Sequence, residues 1–296
     1  MIKSLISWLF IQVSRTLRNT PLRRVKWVTH LHDRIFVSLR SSSVVHLNGY
    51  TLYVDQRDRI IGKKLALYGQ YEDSFQELLL SLAIPGTVVV DVGANIGLHT
   101  IPLARRVGSD GQVIAFEPDP DNYRLLGRNI EVNGIKNVVA YQKGLSSESG
   151  SALLYQSLEN RGGLSLCPEN VATSTHQVDH VAVEIVVADD VLGNLERPIS
   201  VVKIDVEGAE PLVLQGMKKI LRRNPGINLL FEFWPRFIRS FNINPYEFLK
   251  QLEDDGFSLV VIDSTEVNRK TIQIEEIIAQ GDASENALNV HAFRHT

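Results

Sequence analysis

Cysteine is almost missing from this chain: Cys167 stands alone among 296 residues. That excludes an intramolecular disulfide and any cysteine-rich zinc site, and it suits a reducing, cytoplasmic compartment. Positive charge is not in excess either. Lys and Arg number 31 against 34 Asp and Glu, for a net charge of −3, whereas nucleic-acid-binding domains carry a marked basic surplus. Nucleic acid is therefore not an expected partner. No uninterrupted apolar run approaches the roughly 20 residues of a membrane span, because the most apolar opening stretch is broken by Arg15 and Arg18. No Ala-x-Ala-like cleavage site follows it, so a signal peptide is a poor match. The sequence also lacks G-x-G-x-x-G and G-x-x-x-x-G-K-[ST], which removes the dinucleotide fingerprint and the phosphate loop. Internal repeats and low-complexity tracts are absent.

What is present is an ordinary globular composition, 44% apolar and 22% charged. The length fits one large α/β domain with extensions. Charge is unevenly spread: the first forty residues carry eight basic side chains against Asp33, a net of +7, and the remainder carries −10. Within that basic segment Ile2, Leu5, Ile6, Leu9, Val13 and Leu17 recur at helical spacing. Two readings stay open for residues 1–40. One is a docking helix that covers the main domain or a dimer partner; the other is a basic amphipathic helix in peripheral contact with an anionic membrane surface. Three parts follow: a basic helical extension (1–45), a hairpin and helix lead-in (46–85) and a main domain (86–296).

The hairpin is read from apolar segments 44–47 and 50–54 around Asn48-Gly49, and 58–84 reads as helical, closed by Pro85-Gly86. From there strands and helices alternate. Segments 87–92, 112–116, 137–142, 183–187, 200–206, 227–231, 257–262 and 287–293 read as strands. Segments 97–107, 119–133, 209–223 and 245–254 read as helices. Such alternation predicts an α/β fold with a mostly parallel sheet between two helical layers.

The first chemical constellation follows the first buried strand. Gly93 and Gly97 let the backbone approach a ligand closely, and the N–H groups that open the next helix favour an anionic group. Thr100 offers a hydroxyl, and Asp91 aims a carboxylate at the same crevice, suited to a cationic amine. Glu117 ends the second strand, where a carboxylate can accept hydrogen bonds from both hydroxyls of a ribose. A carboxylate at the helix start, an amine near Asp91 and a ribose on Glu117 add up to S-adenosylmethionine.

At these residues the sequence resembles the FkbM family of class I methyltransferases. The likeness is carried by DVGANIGLHT (91–100), AFEPDP (115–120), KIDVEGAE (203–210) and LLFEFWP (229–235). It covers roughly residues 46–295 and leaves the N-terminal segment outside. It implies a Rossmann-like, seven-stranded sheet of order 3-2-1-4-5-7-6 flanked by helices, with the last strand antiparallel. It also implies O-methylation of a hydroxyl on a sugar, glycan or small natural product. The resemblance alone adds Tyr71 and Glu72 as contacts to the methionine end of the cofactor, beside Asp91, Gly93, Asn95 and Gly97.

The second constellation is Lys203, Asp205 and Glu207, which alternate along segment 200–206 and its exit and so point to one side of the sheet. Charge in an apolar buried strand is costly unless paired or used. One reading is a self-satisfying Lys203–Asp205 pair. The other places Asp205 at the acceptor hydroxyl as positioner or base, with Lys203 acting electrostatically or, if burial lowers its pKa, as the base. Glu207 and Glu232 are secondary candidates. Methyl transfer from a sulfonium needs alignment and proton removal, not a covalent nucleophile. A module that keeps the sheet without turnover is the alternative.

Weaker signals remain. Gly144 is read as a point where the backbone passes the adenine, or as an ordinary turn. Residues 157–181 are polar and irregular, a lid over the acceptor or a solvated loop. His99 is a cofactor neighbour or a helix-surface residue. His176 and His180 lack a third ligand, so no metal is expected.

Overall fold

Valine fills four of the five positions of β3 (Val88–Val92), and every residue of that strand is buried. A strand with no polar face belongs inside a parallel sheet covered on both sides, and β3 lies there. The computed structural model describes residues 44–47, 49–55, 65, 73–157, 163–171, 178–262, 272–284 and 286–295. The chain divides into two compact units, 1–71 and 72–296. In the first, β1 (Val44–Leu47) and β2 (Tyr50–Tyr53) form the expected antiparallel hairpin with Leu47 opposite Tyr50. The basic segment 1–43, most of the lead-in helix expected before residue 73, Tyr71, Glu72 and His176 fall outside the described residues.

The second unit is built on seven strands. Beside β3 runs β4 (Gln112–Phe116) and then β5 (Val138–Tyr141) at the edge. On the other side lie β10 (Ile199–Ile204), β11 (Asn228–Phe233), β13 (Leu288–Phe293) and β12 (Ser258–Ile262). The order is β12-β13-β11-β10-β3-β4-β5, with β13 antiparallel to both neighbours and the other pairings parallel. This is the 3-2-1-4-5-7-6 order of a class I methyltransferase sheet. Alternate residues feed two cores. Val88, Val90, Val92, Val202 and Ile204 pack on one face. Val89, Val113 and Val201 face Phe75 and Leu79 of α1 (Asp73–Leu82) and Leu103 of α2 (Thr100–Val107) on the other.

Two expectations are corrected. Segment 209–223 is not one helix but α5 (Glu210–Gln215) and α6 (Lys218–Arg223). Asp189, in α4 (Ala188–Leu192), accepts from the N–H groups of Lys219 and Ile220 and so restarts the helix. At the break Gly216 lies so close to the Ser146 carbonyl that a Cβ would come within 2.3 Å of it. The second correction is larger. Described parts of the irregular insertion, segment 157–181, belong to a four-stranded sheet that begins before it and ends after it: β6 (Gly144–Ser146), β7 (Gly150–Ser157), β8 (Leu164–Ser165) and β9 (Val178–Val187), in the order β6-β9-β7-β8. The end of β9 is the strand expected at 183–187; its first half is largely solvated, and polar residues there mask the strand pattern.

Candidate active site

The site forms where β3, β4 and β10 end side by side. Gly93, φ +75°, turns the chain out of β3, and a Cβ there would stand 1.9 Å from the Asp205 carbonyl oxygen. The N–H groups of Gly93 and Ala94 both donate to the Phe116 carbonyl at 3.0 Å, and that of Asp205 donates to Val92 at 3.1 Å. The three strand exits are thereby held together. Asn95 takes a left-handed conformation, φ +50°, which asparagine tolerates better than most residues. Its N–H donates to Glu117 Oε2 at 2.7 Å, and the Asp119 N–H donates to Oε1 at 2.9 Å. Glu117 is 3% exposed. Burial pushes its carboxyl up to about 8, against the two backbone hydrogen bonds that favour the ionised form.

Asp91 lies beneath the turn rather than open to a ligand. One oxygen accepts from the Thr100 hydroxyl at 2.6 Å, and the other lies 3.3 Å from Lys203 Nζ. The carboxylate and hydroxyl expected to meet the cofactor directly are therefore engaged with each other, and both are fully buried. Lys203 also donates to the Gly93 carbonyl at 2.8 Å and lies 3.4 Å from Asp205 Oδ2. His99 is buried, not a helix-surface residue, with its ring edge-on to Phe75 at 5.5 Å. Burial first, and then the charge of Lys203, lower its pKa to about 4, so it is neutral near pH 7.

A cleft opens on this arrangement. Gly93, Asn95, Glu117 and Gly144 line it together with Asp205, Glu207 and Ala209, and Leu154, Leu164 and Leu166 also border it. Gly97 closes the turn from behind, where a Cβ would meet Leu126 at 2.8 Å. Beyond Ile204 the alternation expected to align Glu207 breaks down. Glu207 and Gly208 have φ of +53° and +100°, because Glu210 Oε1 accepts from the N–H groups of Val206 and Gly208 and draws the chain round. The turn still brings carboxylate oxygens of Asp205, Glu207 and Glu232 within 4.8 Å of one another, a set whose donor chemistry could also hold a divalent cation. In the sequence Glu210 stood only as the last residue of KIDVEGAE, with no role of its own. It is 1% exposed, and burial pushes its carboxyl up to about 7.

The family model of the methyltransferase FkbM domain matches residues 91–259, more than half of the chain. The chain belongs to the FkbM methyltransferase family. Its cofactor is S-adenosylmethionine, and the residues present fit that group: a glycine turn without side-chain bulk opens onto the cleft beside a carboxylate at the exit of β4. Among similar proteins, the hexuronic acid methyltransferase AglP of Haloferax volcanii is 31% identical over 208 residues, which are 67% of this chain and 79% of that one. Methyltransferase 1 of Beauveria bassiana is 32% identical over 145 residues, 44% of this chain; the match spans 57% of that protein's length. A solved SAM-dependent O-methyltransferase from Thermotoga maritima aligns with a TM-score of 0.44 at 14% identity, covering 83% of this chain and 74% of that one.

Proposed function

We propose that this FkbM-family chain transfers the methyl group of S-adenosylmethionine to a hydroxyl oxygen on a sugar or glycan, with a small natural product as the second acceptor class. The observation that carries the reading is the contrast along one charged row. Asp91 and Lys203 are at most 2% exposed, whereas Asp205, next in the row, is 37% exposed and borders the cleft. A carboxylate held by a buried ammonium yet open to the cleft suits an acceptor hydroxyl that must be aligned and deprotonated.

The sulfonium supplies an electrophilic methyl group and a neutral leaving group. The chain then has to orient an oxygen and take its proton as the new bond forms. Asp205 is the base or positioner in this reading, and Lys203 fixes its orientation. Glu207 and Glu232 stand close enough to substitute or to hold a second hydroxyl of a polyol. Glu117 accepts from the ribose, Gly93, Asn95 and Gly97 shape the methionine pocket, and Gly144 passes the adenine. Asp91 and Thr100 support the turn from below, while Tyr71 and Glu72 stay assigned to the methionine end by resemblance. A sugar acceptor draws support from the relative described as a hexuronic acid methyltransferase. The basic segment 1–40 is proposed to bring the enzyme to the inner face of an anionic membrane; deleting it should reduce cosedimentation with anionic vesicles and leave neutral vesicles unaffected. Among the described residues no helix is long and apolar enough to cross a membrane.

The test has two stages. Calorimetric titration with adenosylmethionine, adenosylhomocysteine and NAD should show binding of the two adenosyl ligands only. Transfer of a radiolabelled methyl group to a panel of methyl glycosides, methyl uronosides and simple amines should then favour hydroxyls. Folded protein that binds no adenosyl ligand would overturn the reading.

A further inference from the structure

The turn that carries Glu207 is closed from within by Glu210 and is also held from outside, by the insertion. Glu207 is a non-glycine residue in the left-handed region, at φ +53°, a conformation that is unfavourable unless its surroundings enforce it. Gly208 beside it is pressed so closely on the Phe237 carbonyl that a Cβ would come within 2.7 Å. The Glu207 carbonyl points into the insertion. There it accepts from the Asn170 side-chain amide at 2.9 Å and from the Ser165 hydroxyl at 3.1 Å.

Asn170 lies in the single 3₁₀ turn Pro168–Val171 that follows β8, and its half-buried amide is a junction. Besides Glu207, Nδ2 reaches the Phe237 carbonyl at 3.3 Å and the Ser165 hydroxyl at 3.4 Å. On its other side Oδ1 accepts from the Ser240 hydroxyl at 2.8 Å, and that hydroxyl also reaches the Phe237 carbonyl at 2.6 Å. One side chain thus ties together three segments: the insertion with Leu164 and Leu166 on the cleft wall, the acidic turn 205–208, and α7 (Pro235–Ser240). The amide orientation follows from this network. Only the NH₂ end can serve the Glu207 and Phe237 carbonyls, which leaves Oδ1 to face the Ser240 hydroxyl, whose single proton is shared with the Phe237 carbonyl.

We propose that Asn170 is a positioning residue for methyl transfer: by fixing the Glu207 carbonyl it sets the left-handed turn that gathers the carboxylates of Asp205, Glu207 and Glu232 at the acceptor end of the cleft. It touches neither cofactor nor acceptor. The inference rests on the assignment of that end to the acceptor, but the holding of the turn can be measured without any acceptor.

Asn170→Asp is nearly isosteric and replaces the donor by a carboxylate facing two carbonyls. Ser165→Ala removes the second donor to Glu207 and leaves the amide junction in place. In hydrogen exchange, the amides of Val206 and Gly208, bonded to Glu210 Oε1, report the turn directly. Asn170→Asp should speed their exchange by about tenfold or more, while α2 and β3 amides and adenosylhomocysteine affinity stay within about twofold. Ser165→Ala should give a smaller effect of the same pattern, and it carries the test if the aspartate variant does not fold. On a glycoside that accepts methyl, kcat should fall with little change in KM for adenosylmethionine. Folded variants with unchanged protection at Val206 and Gly208 would overturn the inference. Lost protection in a protein that methylates no hydroxyl would instead overturn the acceptor assignment and leave Asn170 as the holder of the turn.

Discussion

Lys203 and Asp91 are register partners across the parallel pair β10 and β3, and Nζ lies 3.3 Å from Oδ1 with neither side chain more than 2% exposed. The pair stands below the ligand cleft, so its first effect is on the fold of the turn. A buried ion pair broken on one side leaves a charge without compensation, at a cost of about 3–5 kcal/mol. Lys203→Met should lower unfolding free energy by that amount in urea titration. Asp91→Asn in the Lys203→Met background should recover part of it, because the orphaned carboxylate is gone. Additive losses would show that the two side chains are not coupled.

Asp205 is the test of chemistry as distinct from binding. Asp205→Asn keeps shape and removes the base, so turnover should fall by about 10²–10⁴. Adenosylhomocysteine affinity should stay within about threefold, since its proposed contacts are Glu117 and the glycine turn rather than the Asp205 carboxylate. A variant with near-normal turnover would move the role to Glu207 or Glu232.

How far such roles are legible in the sequence depends on the range of the interactions that fix them. The glycine turn, Glu117 after its strand and the Lys203–Asp205 alternation are local patterns, and the structure brings them to one cleft. The sheet order was legible through family motifs, whose spacing follows the strands. What stayed hidden depends on distant partners. The direction of the Asp91 carboxylate is set by Lys203, some hundred residues later. The left-handed turn at Glu207 is closed by Glu210, and its carbonyl accepts from Asn170 and Ser165, whose polar surroundings read as loop. β7 and β9 pair with each other along their length, yet the first half of β9 is largely solvated and polar, so only its end, 183–187, reads as a strand.

Glu117 makes the pH dependence specific. Its carboxyl titrates near 4.5 in the unfolded chain and at about 8 in the fold. Between those values the folded state keeps a proton that the unfolded state has released, so stability falls as pH rises through the window. Glu210 adds the same trend up to about 7, whereas His99, lowered to about 4, works in the opposite sense between about 4 and 6.5. From pH 7 to 8 Glu117 dominates among the three, with a limiting slope of about 1.4 kcal/mol per pH unit. Glu117→Gln should flatten that slope in urea unfolding. If ribose hydroxyls donate to the ionised carboxylate, adenosylhomocysteine should bind more tightly toward pH 8 and release protons, as read by calorimetry in buffers of different ionisation enthalpy. A slope unchanged in the glutamine variant would place the titration elsewhere.

The two glycines of the turn should respond differently to the same substitution. Both have positive φ, +75° at Gly93 and +93° at Gly97, so alanine is strained at either by about 1–2 kcal/mol. Their surroundings differ. At Gly93 a Cβ would press on the backbone oxygen of Asp205 at 1.9 Å, and neither strand exit can yield without opening the β3–β10 contact. At Gly97 it would meet Leu126 Cδ1 at 2.8 Å, the end of a side chain that can rotate away. Gly97→Ala should therefore fold with a loss near the strain alone. Gly93→Ala should lose several times as much, together with adenosyl-ligand affinity and turnover, because the exits of β3 and β10 are forced apart at Asp205. Thermal unfolding with and without adenosylhomocysteine measures both effects. Equal losses in the two variants would mean that left-handed strain, not the close approach to Asp205, limits this turn.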